Sequence, residues 1–293
     1  MGTPAADIEF DAFQVRELLK AQHPDLGTLP LALEASGWDN VIYRLGPQLA
    51  LRLPRRLPAA RLIENEQRWL PTLQRRLPLP IPAPVRLGVP QDWYPWCWSV
   101  IPWFEGEPAD QAEPNRAQGE ALAAFLNALH VAAPAEAPRN PYRGVPLSQR
   151  AQKFTACLGS LAGKTAALNT RHMNLWQAAL DAPIDAPDTW IHGDLHPRNV
   201  LVRDGCIIAV IDWGDIAAGD RAADLAAIWM LLPEPEARRA AMAHCDSVSP
   251  HTWDRARGWA LLFAVILLDA GCSGDARMGT IARRTLERLL TGP

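Results

Sequence analysis

The chain has 293 residues, 48% hydrophobic and 21% charged, enough for one large domain or two lobes around buried cores. A formal net charge of −3 and a pI near 6.2 leave no basic footprint for nucleic acid. Five scattered cysteines (Cys97, Cys157, Cys206, Cys245, Cys272) without CxxC spacing point to neither a zinc site nor a disulfide framework, as expected for a reduced, cytoplasmic protein.

The N-terminus carries Asp7, Glu9 and Asp11 rather than the basic start of a signal peptide. Val15, Leu18 and Leu19 then share one face of a short amphipathic helix. Residues 31–53 read as an antiparallel meander of three strands, LALEA, VIYRL and LALRL, separated by Ser36-Gly37 and Gly46-Pro47. Residues 61–77 are helical in composition, with Pro71 set to kink or break the helix. Residues 78–84 are too proline-rich for a central strand and form an extended connector. Trp93, Trp96, Trp98 and Trp103 cluster about a strand at 97–101 and are expected in core packing rather than in an aromatic substrate box.

Beyond that strand the chain turns helical. Asn115 and Gln118 suggest an N-cap for a helix bearing Leu122, Phe125, Leu126 and Leu129. Residues 132–146 form a Pro/Ala-rich loop, and helices follow over 148–180. The stretch Gly159 to Thr165 imitates a phosphate-binding P-loop but is one residue short between its glycines and follows no strand. Asp220 can cap a helix with Leu225, Ile228, Trp229 and Leu232, ended by Pro233 and Pro235. Two more helices are expected to close the chain. Their apolar run 259–268 is about half the length a membrane helix needs, so it reads as a buried helix.

The densest chemistry lies at 190–224, WIHGDLHPRNVLVRDGCIIAVIDWGDIAAGDRAAD. His196-Pro197 favours an extended loop between Asp194 and Asn199. After Asn199 come an apolar run, Asp204-Gly205 and a second apolar run, the pattern of a β-hairpin with a tight turn. Such a hairpin returns Asp212 to the neighbourhood of Asn199, with Asp194 beside both. Phosphoryl transfer of the protein-kinase type needs an aspartate to accept the proton of the attacking hydroxyl. It also needs an asparagine and a second aspartate to hold Mg²⁺ ions against the triphosphate. Asp194 meets the first need; Asn199 and Asp212 meet the second.

HGDLHPRNVLV, IDWGD and GDRAADLA together resemble the signature of the aminoglycoside phosphotransferase family, one of the kinase-like small-molecule phosphotransferases. The resemblance implies an α+β, protein-kinase-like, two-lobed fold. Residues 1–101 would be a nucleotide-binding N-lobe with a small antiparallel sheet, and 102–293 a larger, mainly helical C-lobe with the catalytic loop and substrate-binding helices. It also implies ATP or GTP as phosphate donor and Mg²⁺ as cofactor. The acceptor would be the hydroxyl of a small molecule, an aminoglycoside, a macrolide or a metabolite, in a monomer or dimer without membrane or nucleic-acid partners. Residues 36–40 would lie over the nucleotide phosphates. Arg52 takes the position of the kinase lysine, and Glu66, counted back from Leu77-Pro78-Leu79-Pro80, that of its helix glutamate. Residues 99–103 would form the hinge to adenine, with Ser99 and Ile101 among its contacts. His192 and Asp224 would brace the catalytic loop, while His196 and Asp215 are each open between a site role and a local one.

Two other classes stay in view. His192, Asp194 and His196 alternate as ligands of a metal-dependent hydrolase would, with Asp212 as a fourth. A catalytically inactive kinase-like binding protein would tolerate Arg52 in place of lysine. Residues 225–293, with seven acidic residues and eight arginines, show no acidic surplus of the kind a polycationic antibiotic favours.

Overall fold

The computed structural model describes residues 5–292 and divides into two compact units. One runs to Arg76 and resumes over Pro80–Glu105; the other takes in Leu77–Leu79 and the chain from Gly106 onward.

The first unit opens on helix α1 (Ala12–Gln22), started by a capping box in which Asp11 accepts from the Gln14 amide and the Gln14 side chain returns to the Asp11 amide. Its Val15, Leu18 and Leu19 are buried, as their spacing predicts. Strands β1 (Leu31–Ser36), β2 (Asn40–Leu45) and β3 (Leu49–Pro54) form the expected meander. Helix α2 (Leu57–Leu73) starts earlier than its composition indicated, because Pro58 fits the first turn where no amide is needed. It ends two residues past Pro71. Strands β4 (Arg86–Gly88) and β5 (Trp98–Pro102) complete a sheet of order β1-β2-β3-β5-β4. Trp98 is fully buried in the core with Tyr43, Leu51 and Tyr94, and Trp93 and Trp96 pack against it. These indoles therefore pay the entropy of folding through apolar burial.

The second unit is mainly helical. Strand β6 (Glu107–Pro108) precedes helices α3 (Gln118–Leu129), α4 (Ala151–Leu161) and α5 (Thr170–Asp181). Asn115 accepts from the Ala117 amide just before α3, close to its expected capping position. Strand β7 (Thr189–Ile191) leads to the hairpin β8 (Val200–Arg203) and β9 (Cys206–Val210); β10 (Ala217–Gly219) pairs back on β7, and β6 on β8. The helix expected after Asp220 is two short ones, α6 (Ala222–Leu225) and α7 (Ala227–Leu231). Three helices close the chain rather than two: α8 (Pro235–His244), α9 (Pro250–Cys272) and α10 (Ala276–Leu290). Pro235 begins α8 instead of ending its predecessor, since proline is tolerated at a first turn. The apolar run 259–268 lies inside α9, buried against α4, α5, α6, α7 and α10. No helix among the described residues is long and apolar enough to cross a membrane.

Candidate active site

The β8–β9 hairpin brings its ends together as the sequence predicts. Val200 faces Val210 in the ladder, and the Ile211 amide donates to the Asn199 carbonyl at 2.8 Å. Asp204 and Gly205, with φ of 52° and 74°, make the tight turn with both central residues left-handed. Asn199 ends a short 3-10 turn, and its Nδ2 donates to the Asp194 carbonyl at 2.9 Å and to Asp194 Oδ2 at 3.3 Å. An amide held by its nitrogen presents its oxygen on the other side. Asp212 follows the return strand with φ 61°, a left-handed conformation that a non-glycine residue adopts at a cost. Asn199 and Asp212 thus lie at the end of the hairpin where its two strands meet, and an amide and a carboxylate are oxygen donors of the kind a hard cation takes.

The loop carrying Asp194 is held from behind. Asp224, fully buried, accepts from the His192 amide at 2.7 Å and the Gly193 amide at 2.8 Å, with His130 Nε2 3.4 Å away. His192 Nδ1 accepts from the Asp194 amide at 3.2 Å while Nε2 donates to the Ile211 carbonyl at 3.0 Å. Both ring nitrogens are occupied in tying the loop to the hairpin, so His192 has no lone pair to give a metal. That removes the first ligand of the hydrolase reading. Gly193 has φ 85°, and a Cβ there would stand 2.8 Å from the Asp215 carbonyl, so only glycine fits.

Asp194 is densely solvated by protein groups. Arg143 Nη2 donates to its Oδ1 at 2.8 Å, and His196 Nε2 lies 3.4 Å from Oδ2. Burial works to raise the Asp194 carboxyl, but the charges of His196 and Arg143 and the His196 hydrogen bond outweigh it and hold the group well below the usual carboxylate range. Burial, joined by the charge of Asp194, instead pushes Asp215 up, against Arg143 and a hydrogen bond from Asn140. Asn140 and Arg143 lie in the Pro/Ala-rich loop 132–146, whose composition singles out neither. The turn pattern Asn140-Pro141 was their only local mark.

In the first unit, Arg52 of β3 and Glu66 of α2 form an ion pair at 3.0 Å, with 11% and 3% of their side chains exposed. Residues 36–40 form the turn between β1 and β2. Arg55 donates to Ser36 Oγ and the Gly37 carbonyl, both at 3.1 Å. Ser99 is enclosed: β3 and β4 flank it in the ladder, and Gln67 donates to its hydroxyl at 3.1 Å. Ile101 pairs only with Ala50 of β3, past the end of β4.

The backbone resembles solved phosphotransferases. It matches the GDP and kanamycin complex of APH(2")-IIia at 19% identity and TM-score 0.64, over 95% of this chain and 99% of that one. The apoenzyme of a macrolide 2′-phosphotransferase from Brachybacterium faecium matches at 22% identity and TM-score 0.60, over 94% and 97% of the two chains. The streptomycin–ATP ternary complex of APH(2")-IIa matches at 18% and 0.59, over 89% and 91%. These likenesses define the class as the kinase-like phosphotransferase fold, an antiparallel-sheet N-terminal region followed by a helical one. Residues 32–259 match the model of the phosphotransferase enzyme family, and the chain belongs to that family. No curated protein sequence matches it.

Proposed function

We propose that this enzyme moves the γ-phosphate of ATP or GTP to a hydroxyl of a small molecule, with Asp194 as general base. The observation that carries this reading is the convergence of Asp194, Asn199 and the end of the return strand through the Asn199 side chain and backbone. Asn199 and Asp212 would hold Mg²⁺, which when bound neutralises the triphosphate charge. Asp194 stays ionised across the working pH range and orients the acceptor hydroxyl. It takes the proton once bonding to phosphorus has made that proton acidic, so weak basicity is no handicap. In the first unit Arg52, kept in place by Glu66, would bind nucleotide phosphate, and the Ile101 backbone would meet the base. Ser99 contributes by holding the strand.

The acceptors to test are aminoglycosides, macrolides and metabolite alcohols, with antibiotic resistance as the biological role of the first two. Kanamycin and streptomycin in the similar structures support including aminoglycosides, and the similar macrolide 2′-phosphotransferase supports including macrolides. A coupled nucleotide-turnover screen over these compounds tests the proposal. Asp194→Asn should lower kcat by about 10²–10⁴-fold, the usual share of a general base. Unchanged turnover in that variant would sink the mechanism.

A further inference from the structure

Arg143 bridges two carboxylates beside the catalytic loop. Its Nη2 donates to Asp194 Oδ1 at 2.8 Å, and its Nε lies 3.5 Å from Asp215 Oδ2. The guanidinium carbon sits 5.0 Å from the centre of the Phe263 ring on α9, so one face of the cation is closed by an aromatic surface.

The loop that carries Arg143 is built to fix it. Asn140 Oδ1 accepts from the amides of Tyr142 and Arg143 at 2.8 and 3.1 Å, while its Nδ2 donates to Asp215 Oδ1 at 2.6 Å. One loop therefore meets both oxygens of Asp215, Oδ1 through the Asn140 hydrogen bond and Oδ2 through the charge of Arg143. The next residue, Gly144, has φ 62°, and a Cβ there would stand 2.4 Å from Ile191 Cδ1 and 3.0 Å from Gly219 Cα. Its carbonyl accepts from the Asp220 amide at 2.8 Å. The loop is thus clamped onto β7 and β10, the strand pair from which the Asp194 loop departs. This is more machinery than a connection between α3 and α4 requires.

An aspartate χ2 torsion is broad, so a carboxylate without a fixed partner swings. A misplacement of about 1 Å in a reacting group can cost about 10²-fold in rate. Resting on the reading of Asp194 as general base, we propose that Arg143 is a positioning residue for phosphoryl transfer. It pins Asp194 Oδ1, the oxygen that Asn199 and His196 do not reach, and so completes the fixing of the carboxylate toward the acceptor hydroxyl, while Asp215 and Asn140 fix Arg143 itself. A planar fork that reaches two carboxylates explains arginine here, where lysine would supply only a point charge.

The test is a double-mutant cycle of Arg143→Met and Asp194→Asn, read with water as acceptor by phosphate release from Mg–ATP and Mg–GTP, with Arg143→Lys and Asn140→Ala alongside. Arg143→Met should lower kcat by about 10²-fold with the nucleotide KM changed less than about 3-fold. Lysine should recover part of the loss, and Asn140→Ala should cost less than methionine. In the Asp194→Asn background the Met substitution should change kcat by less than about 3-fold, because Arg143 acts through Asp194. An equal loss in both backgrounds, or a loss confined to the nucleotide KM, overturns the proposal. If Arg143→Met fails to fold, wild-type kcat in both Arg143→Lys and Asn140→Ala overturns it instead. Wild-type turnover in Asp194→Asn would remove the general-base reading and this inference together. A normal Arg143→Met beside an impaired Asp194→Asn removes this inference alone.

Discussion

The same residue type meets opposite environments within the second unit, and the neighbours decide which proton affinity results. Asp194 and Asp215 share Arg143, yet the first is held down and the second pushed up. A third aspartate, Asp185, is pulled down to about 2, chiefly by the Ser249 hydroxyl and then by Thr252 and Arg255, against a smaller opposing effect of burial. Its folded value lies below its unfolded one. The stability it lends is present above about pH 4 and is lost as pH falls toward 2. Thermal melts of Asp185→Asn should therefore lose less stability than the wild type between pH 5 and 2.5. In the first unit, Glu66→Ala removes a buried carboxylate that pairs with a nearly buried arginine. Urea unfolding should show a loss of about 3 kcal/mol, the scale for breaking a buried pair from one side.

At the scale of elements, the Asp194 loop is tied down from two sides, by Asp224 behind it and by His192 across to the hairpin. Asp224 uses both carboxylate oxygens on consecutive amides, and α6 places it there. An amide in its place accepts through one oxygen only and leaves a buried N–H without a partner. Asp224→Asn should therefore cost about 1–3 kcal/mol in equilibrium unfolding, with a fall in kcat as the Asp194 loop loosens. The meander, the hairpin and the first helix were legible in the chain because alternation, turn residues and helical spacing act over a few residues. The break between α6 and α7 and the start of α8 at Pro235 were not. The run 222–231 is buried on every face, so packing against α9 rather than periodicity sets where its helices end.

Across the whole molecule, the proposed chemistry needs a divalent cation that the protein holds through few groups of its own. Removing Mg²⁺ with a chelator should abolish turnover, and adding it back should restore it. The melting temperature should rise with Mg²⁺ and nucleotide together and little with Mg²⁺ alone, since a ligand stabilises only what it binds. A large shift with the metal alone would contradict a site built from Asn199 and Asp212.

The sequence by itself determined the first helix and the meander of the first unit, the hairpin, and the spacing that brings Asn199 to the end of the return strand. Those features rest on neighbours within about a dozen residues, where torsional preference and turn chemistry rule. Tertiary structure alone decided that Arg143 reaches Asp194 from 51 positions away. It also decided that Ser99 is closed off by two strands and that His192 spends one nitrogen on the loop and the other on the hairpin. A guanidinium, a hydroxyl and an imidazole are chemically versatile, and only the groups folded against them select one use.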